Sequence, residues 1–189
     1  MNHHTQTVLK MKKLTRTSWI NAGFNILDNE GYTRCSVERV ARKLDVTRGS
    51  FYHHFNDRED FIRSMLSCWV VEYTDKILNE LEQETSINKV LTEYINFTSR
   101  KKTAREISIR AWALHDPIVA EYQTIVDEKR LNFVINKLGS LPIPAQHAQT
   151  IGKLVHLSLI GGTISGERFN NLNFNKLILN GVKLKKFLF

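Results

Sequence analysis

Nine consecutive residues, Thr47-Arg48-Gly49-Ser50-Phe51-Tyr52-His53-His54-Phe55, gather hydrogen-bonding side chains suited to a polyanionic partner. Phe51 and Phe55 stand four apart, share one side of a helix and turn inward. The face left outward carries Arg48, Gly49, Ser50, Tyr52, His53 and His54. Arg48 is a two-pronged donor of the kind that reads guanine, and the small Gly49 and Ser50 permit close approach. Tyr52 and the two histidines bring hydroxyl and imidazole groups to phosphates or base edges. The bland counterpart is an ordinary polar face in a helical bundle.

Such a face works only if neighbouring elements hold it. Val37, Val40, Ala41 and Leu44 recur at i, i+3, i+4 and i+7 and predict a helix. Ser36 is its expected N-cap, and Thr47 has the right chemistry to open the next helix. Asp45 and Val46 leave room only for a tight corner, so the pair has the outline of a helix-turn-helix, whose second helix enters the major groove. Asp57 caps the element after it, with Arg58 in the first turn, where exposed amides attract phosphate. Behind these a helix from Thr15 to Glu30 packs through Trp19, Ala22, Gly23, Ile26 and Leu27, and Gly31 stops it as a left-handed C-cap. Arg34 and Arg39 lie where phosphates would approach or are solvated charges.

Gly31-Tyr32, Ser36-Val37, Val40-Ala41, Leu44, Val46 through Tyr52, His54-Phe55 and Arg58-Glu59-Asp60-Phe61 resemble the DNA-binding signature of the tetracycline-repressor (TetR) family over roughly residues 14 to 62. The resemblance implies an all-α homodimeric transcription regulator. Its N-terminal three-helix DNA-binding domain (1–60) would precede a helical effector-binding and dimerisation domain (61–189), about nine helices in all. The expected DNA-binding set is Ser36, Thr47, Arg48, Gly49, Ser50, Tyr52, His53, His54 and Arg58. The expected function is a repressor on a palindromic double-stranded DNA operator, released by a small, largely apolar effector. The alternative is an adaptor of the same fold that binds DNA and controls a partner protein.

Composition agrees with that class. Of 189 residues 42% are hydrophobic, enough for a core, and three prolines and nine glycines favour helices over turn-punctuated strands. The net charge of +8 and pI near 9.6 suit a polyanionic partner. Cys35 and Cys68 lack metal or paired spacing and fit a reducing cytoplasm; Cys68, among apolar neighbours, reads as a small buried hydrophobe before a redox sensor. No run of 18 apolar residues and no signal-peptide apolar region occur, so a cytoplasmic protein is expected. Residues 1–13 read as a basic, solvated or DNA-contacting arm. His53-His54 and His115-Asp116 are adjacent pairs that diverge by about 100° on a helix, and no phosphate loop or nucleophile elbow is present. No enzyme, metal or cofactor is expected.

After Asp57 a single stiff helix is expected to reach Gln83 and so to link the two domains. Ser86 caps the next helix, Arg100-Lys101-Lys102 marks a corner, and Pro117 opens another helix at its first position. Trp69, Tyr73, Tyr94, Phe97, Trp112, His115 and Tyr122 are the candidate effector-cavity lining, each also readable as a plain core aromatic or polar residue. From Ala145 to Phe169 the pattern is apolar on all sides. Ile151, Leu154, Val155, Ser158, Leu159, Gly162 and Gly166 are the candidate dimer interface. The lysine-rich tail from Asn173 is a second interface helix or a membrane-surface helix.

Overall fold

A computed structural model describes residues 14–165 and, beyond them, Lys176 and Asn180. The basic arm, Gly166 and the tail otherwise lie outside the described residues. Helix α1 (Arg16–Glu30) opens with a reciprocal cap in which the Thr15 hydroxyl accepts from the Ser18 amide and the Ser18 hydroxyl from the Thr15 amide, both at 3.2 Å. Gly31 ends it at φ 81°, ψ 170°: positive as expected, but extended rather than left-handed helical, a conformation that essentially only glycine adopts. One 3-10 turn (Tyr32–Arg34) leads to α2 (Val37–Lys43), which the Ser36 hydroxyl caps by accepting from the Arg39 amide at 3.2 Å. Its far end closes when the Val46 amide reaches back to the Ala41 carbonyl and that of Asp45 to Arg42. That closure holds Asp45 at φ 57°, in the slot glycine usually fills.

The next element departs from expectation in kind. Arg48–His53 is a 3-10 helix, and the Thr47 side chain makes no capping bond to it. Gly49 and Ser50 supply little α propensity, so packing decides the geometry. The Phe51 ring meets Trp19 edge-on at 5.5 Å and stacks on Phe55 at 5.0 Å.

Helix α3 (Arg58–Val70) is capped by Asp57, whose carboxylate accepts from the Asp60 amide at 2.8 Å. The expected uniform helix then changes: a π turn (Val71–Asp75) separates α3 from α4 (Lys76–Glu80). Arg130 accounts for it. Its guanidinium takes the Tyr73 carbonyl at 3.2 Å and the Thr74 hydroxyl at 3.0 Å, drawing that turn away from regular pairing. There follow α5 (Ile87–Arg100), α6 (Thr103–Ala113), α7 (Pro117–Gly139) and α8 (Ala145–Ser165). Ser86 holds the N-cap position of α5 without a side-chain bond, whereas Asp116 caps α7 by accepting from the Ile118 amide at 3.1 Å.

Two apolar cores result. One joins α1, α2 and α3 to Ile109, Trp112, Val119 and Val126, and so runs straight across residue 60. The other packs α4, α5, the far half of α7 and α8 around Tyr94, Val134 and Val155. Among the described residues helix α8 is not covered on all sides. Ile151, Val155, Leu159 and Gly162 face inward, while Leu154, Leu157 and Ile164 are exposed.

Between the cores lies a buried ionic cluster. Arg130 holds Glu106 at 2.9 Å, and Arg110 bonds Glu106 at 2.9 Å and grips Asp127 with two bonds at 2.6 and 2.9 Å. His156 of α8 stands 3.7 Å from Asp127, its pKa pushed down by burial against the pull of that carboxylate. Burial pushes the Glu106 carboxyl up, but Arg130 and Arg110 outweigh it and hold the group at about 2. A carboxyl depressed in the folded state stabilises above its unfolded pKa of about 4.3 and loses that contribution as pH falls towards the folded value. Urea titrations from pH 6 to pH 2 should therefore show stability falling between about 4.3 and 2. Glu106→Gln should cost about 3–5 kcal/mol at pH 7, by stranding the arginines, and should flatten that part of the pH profile.

Candidate nucleic-acid interface

The 3-10 geometry turns one edge of Arg48–His53 outward. Phe51 is fully buried and Phe55 nearly so, whereas Thr47, Arg48, Gly49, Tyr52 and His53 are exposed and Ser50 half-exposed. The Arg48 guanidinium donates to the Tyr52 hydroxyl at 3.3 Å and lies 3.3 Å from the Glu38 carboxylate on α2. Those partners aim it before any ligand arrives; Glu38 went unnoticed in the sequence because an exposed acid on a helix carries no pattern. Gly49 has only the Thr47 hydroxyl near its missing Cβ, at 3.7 Å, so a partner backbone can come close.

Three members of the expected set do structural work. Ser36 is occupied as the α2 cap. His54 leans on Trp19 with ring centres 6.2 Å apart, and its carbonyl accepts from Arg16, which also bonds Asp60 and lies over Phe55. Arg58 sits 3.9 Å from Asp116 and over the Trp112 ring, on the side of the reader that meets the rest of the chain. Arg39 is tied to Glu30 by bonds of 2.9 and 2.6 Å, while Arg34 is exposed. The Cys35 thiol is pushed up to about 12 by burial, opposed by Arg58, and is inert at neutral pH.

The N-terminal unit is strapped to α6 and α7. Tyr32 stacks on Trp112 and His115 with ring centres at 6.3 and 6.0 Å. Asp28 of α1 takes two bonds from Arg105, at 2.9 and 2.8 Å, and a third contact from Lys102 at 3.1 Å. The Ser108 hydroxyl donates to the Leu27 carbonyl at 2.9 Å. Sequence reasoning missed Asp28, Arg105, Glu106 and Arg130. The available signal was a charge at a core position, since Glu106 shares a stripe with Thr103 and Ile109, and Arg130 with Val126 and Phe133.

The candidate cavity residues divide between the two cores, although Tyr73 and Phe97 both lie under the Lys101 ammonium. Trp69 is fully buried in the first core, Tyr94 in the second, and Trp112 and His115 belong to the Tyr32 stack. Tyr122 is half-exposed and bonds Ser67 at 3.1 Å. Tyr73 lines a polar cavity of about 20 Å³ where α5 meets α6, together with Lys101, Thr103 and Arg130. Among the described residues no cluster of metal-ligating side chains occurs, and no helix is long and apolar enough to cross a membrane.

This geometry agrees with what the chain is similar to. Residues 20–65 match the family of bacterial regulatory proteins of the tetR type. The HTH-type transcriptional regulator BetI of Escherichia coli O17:K52:H18 is 20% identical over 152 residues, 76% of this chain and 77% of that protein. A transcriptional regulator from Rhodococcus sp. Rha1 superposes with a TM-score of 0.72 at 18% identity, covering 88% of this chain and 92% of its own. A regulator from Saccharomonospora viridis in complex with choline gives 0.71 at 11%, covering 89% and 95%. Arg48→Ala should cost about 1–3 kcal/mol on a preferred DNA site and relax discrimination at one base pair. Anisotropy titrations over a panel of single-base variants test it, and equal weakening on every sequence would make Arg48 a phosphate contact.

Proposed function

We propose that this chain, a DNA-binding transcriptional regulator of the tetR family, is a repressor that binds a palindromic operator as a homodimer and lets go when a small effector binds. The observation that carries the reading is the Arg48–His53 edge, held outward by a wholly buried Phe51 and already aimed by Glu38 and Tyr52. Residues 1–60 supply the reader and 61–189 the effector-responsive and dimerising part, acting in the cytoplasm where the DNA is. Arg48, Ser50, Tyr52 and His53 are the base-side contacts, with Thr47 and Gly49 bordering them. Arg58, by contrast, serves as a bridge to Asp116 as much as a phosphate ligand.

Helix α8 supplies the argument for a dimer. Leu154, Leu157, Gly161 and Ile164 step by three, four and three residues, the spacing of a helix-pairing seam. Its three large members are 55%, 62% and 62% exposed, and nothing lies within 4 Å of the Cβ that Gly161 lacks. A second copy laid across this seam covers it, with Gly161 allowing the axes to approach. The interface is thereby moved by about half a helix turn from Ile151, Val155, Leu159 and Gly162, which the chain's own core uses. A two-fold pair of readers spans half-sites about 34–36 Å apart. Leu157→Asp should give a monomer by sedimentation velocity, with folded-state helicity kept and cooperative binding to a palindrome lost. A dimer that survives this change would place the interface elsewhere.

A further inference from the structure

The small cavity at the α5–α6 corner lies beside the strap that holds the reader. Its volume of about 20 Å³ is room for about one water, so it can seat one oxygen of a ligand head lodged at its mouth rather than a whole molecule. Glu106, the acid in its wall, is already bonded by Arg130 and Arg110. Lys101 has no carboxylate within ion-pair distance among the described residues. Its ammonium rests over the Phe97 and Tyr73 rings, at 4.4 and 5.3 Å. Helix α6 begins here without a side-chain cap, and one of the wall residues is the buried Thr103. The charge of the site left without a carboxylate partner is therefore positive.

We infer that this corner binds the oxyanion head of a small effector, a carboxylate or a phosphate, and that the bound anion loosens the reader by competing with Asp28 for Lys102. The inference rests on the ligand-responsive regulator reading given above. A cationic ligand would meet two ammonium groups here, and an apolar one would leave Lys101 without a carboxylate partner. Lys102 is the pivot, since it both lines the cavity and lies 3.1 Å from the Asp28 carboxylate on α1. Arg105 keeps its two bonds to the same carboxylate, so the strap is weakened rather than cut. Tyr73 belongs to the π turn and lines the same cavity, so that turn borders the pivot. Coupling through such a joint is reciprocal, so operator must weaken the anion by the factor by which the anion weakens operator.

The test uses the full chain, tryptophan fluorescence, and titration with acetate, inorganic phosphate and, as a cationic control, choline, all at constant ionic strength. Saturable binding of acetate or phosphate is expected, with no saturation by choline. Acetate alone identifies a carboxylate site, phosphate alone a phosphate site, and both a general oxyanion site. Lys101→Gln should weaken the anion about tenfold or more, and Asp28→Asn should tighten it about fivefold by freeing Lys102. No saturation by either anion, or unchanged affinity in Lys101→Gln, overturns the site. DNA selected by the protein from a random pool, without anion, tests the regulator reading separately. If such DNA is bound equally well at saturating anion, the proposed competition is wrong; if anion binds as expected but no DNA is selected, the site stands and the regulator reading falls.

Discussion

The guanidinium of Arg130 is the contact on which the arrangement of the C-terminal helices depends. It is buried on α7 and bonds Glu106 of α6 and both Tyr73 and Thr74 of the π turn. A buried ion pair is rarely a large net stabiliser, because desolvation consumes most of the Coulombic gain. Its value here is geometric. Removing one partner strands the other in a low-dielectric interior, so helices joined this way have few alternative registers. The π turn follows from the same bond, since the Tyr73 carbonyl is drawn to Arg130.

That constraint reaches the reader through α6. Glu106 fixes α6 from one side, while the adjacent Arg105 and Lys102, one turn back, hold Asp28 from the other. The first apolar core reinforces the link, since Trp112 and Ile109 pack in the same cluster as Trp19 and Phe51. The N-terminal unit is therefore not a bead on a linker. A movement of α6 has to be felt by α1, because packed interiors shift between discrete arrangements rather than deforming smoothly. The helix expected to link the two domains shares that link with the Asp28 strap and the Tyr32 stack.

Two local features depend on packing in the same manner. Arg48–His53 is a 3-10 helix because Phe51 is gripped by Trp19, Phe55 and Phe61, while Gly49 and Ser50 offer little α preference to resist. Helix α8 buries one apolar side among the described residues and exposes Leu154, Leu157 and Ile164 on the other, a division that hydrophobicity alone does not show.

Much of the DNA-reading end was legible in the residues themselves. Apolar spacing located α1 and α2, Ser36 and Asp57 marked helix starts through their side chains, and Pro117 opened α7, all effects that act within one or two turns. The outward set from Arg48 to His53 was legible for the same reason, since burying Phe51 fixes where its neighbours point. Tertiary structure alone decided the rest. Glu106 and Arg130 stand 24 positions apart and Asp28 and Arg105 77 apart, so their pairing is invisible to any local pattern. The π turn, the scattering of the candidate cavity aromatics between two cores, and the choice of which side of α8 stays exposed all follow from contacts between elements distant in the chain. Local periodicity sets what each helix can bury; only the assembled helices determine what it does bury.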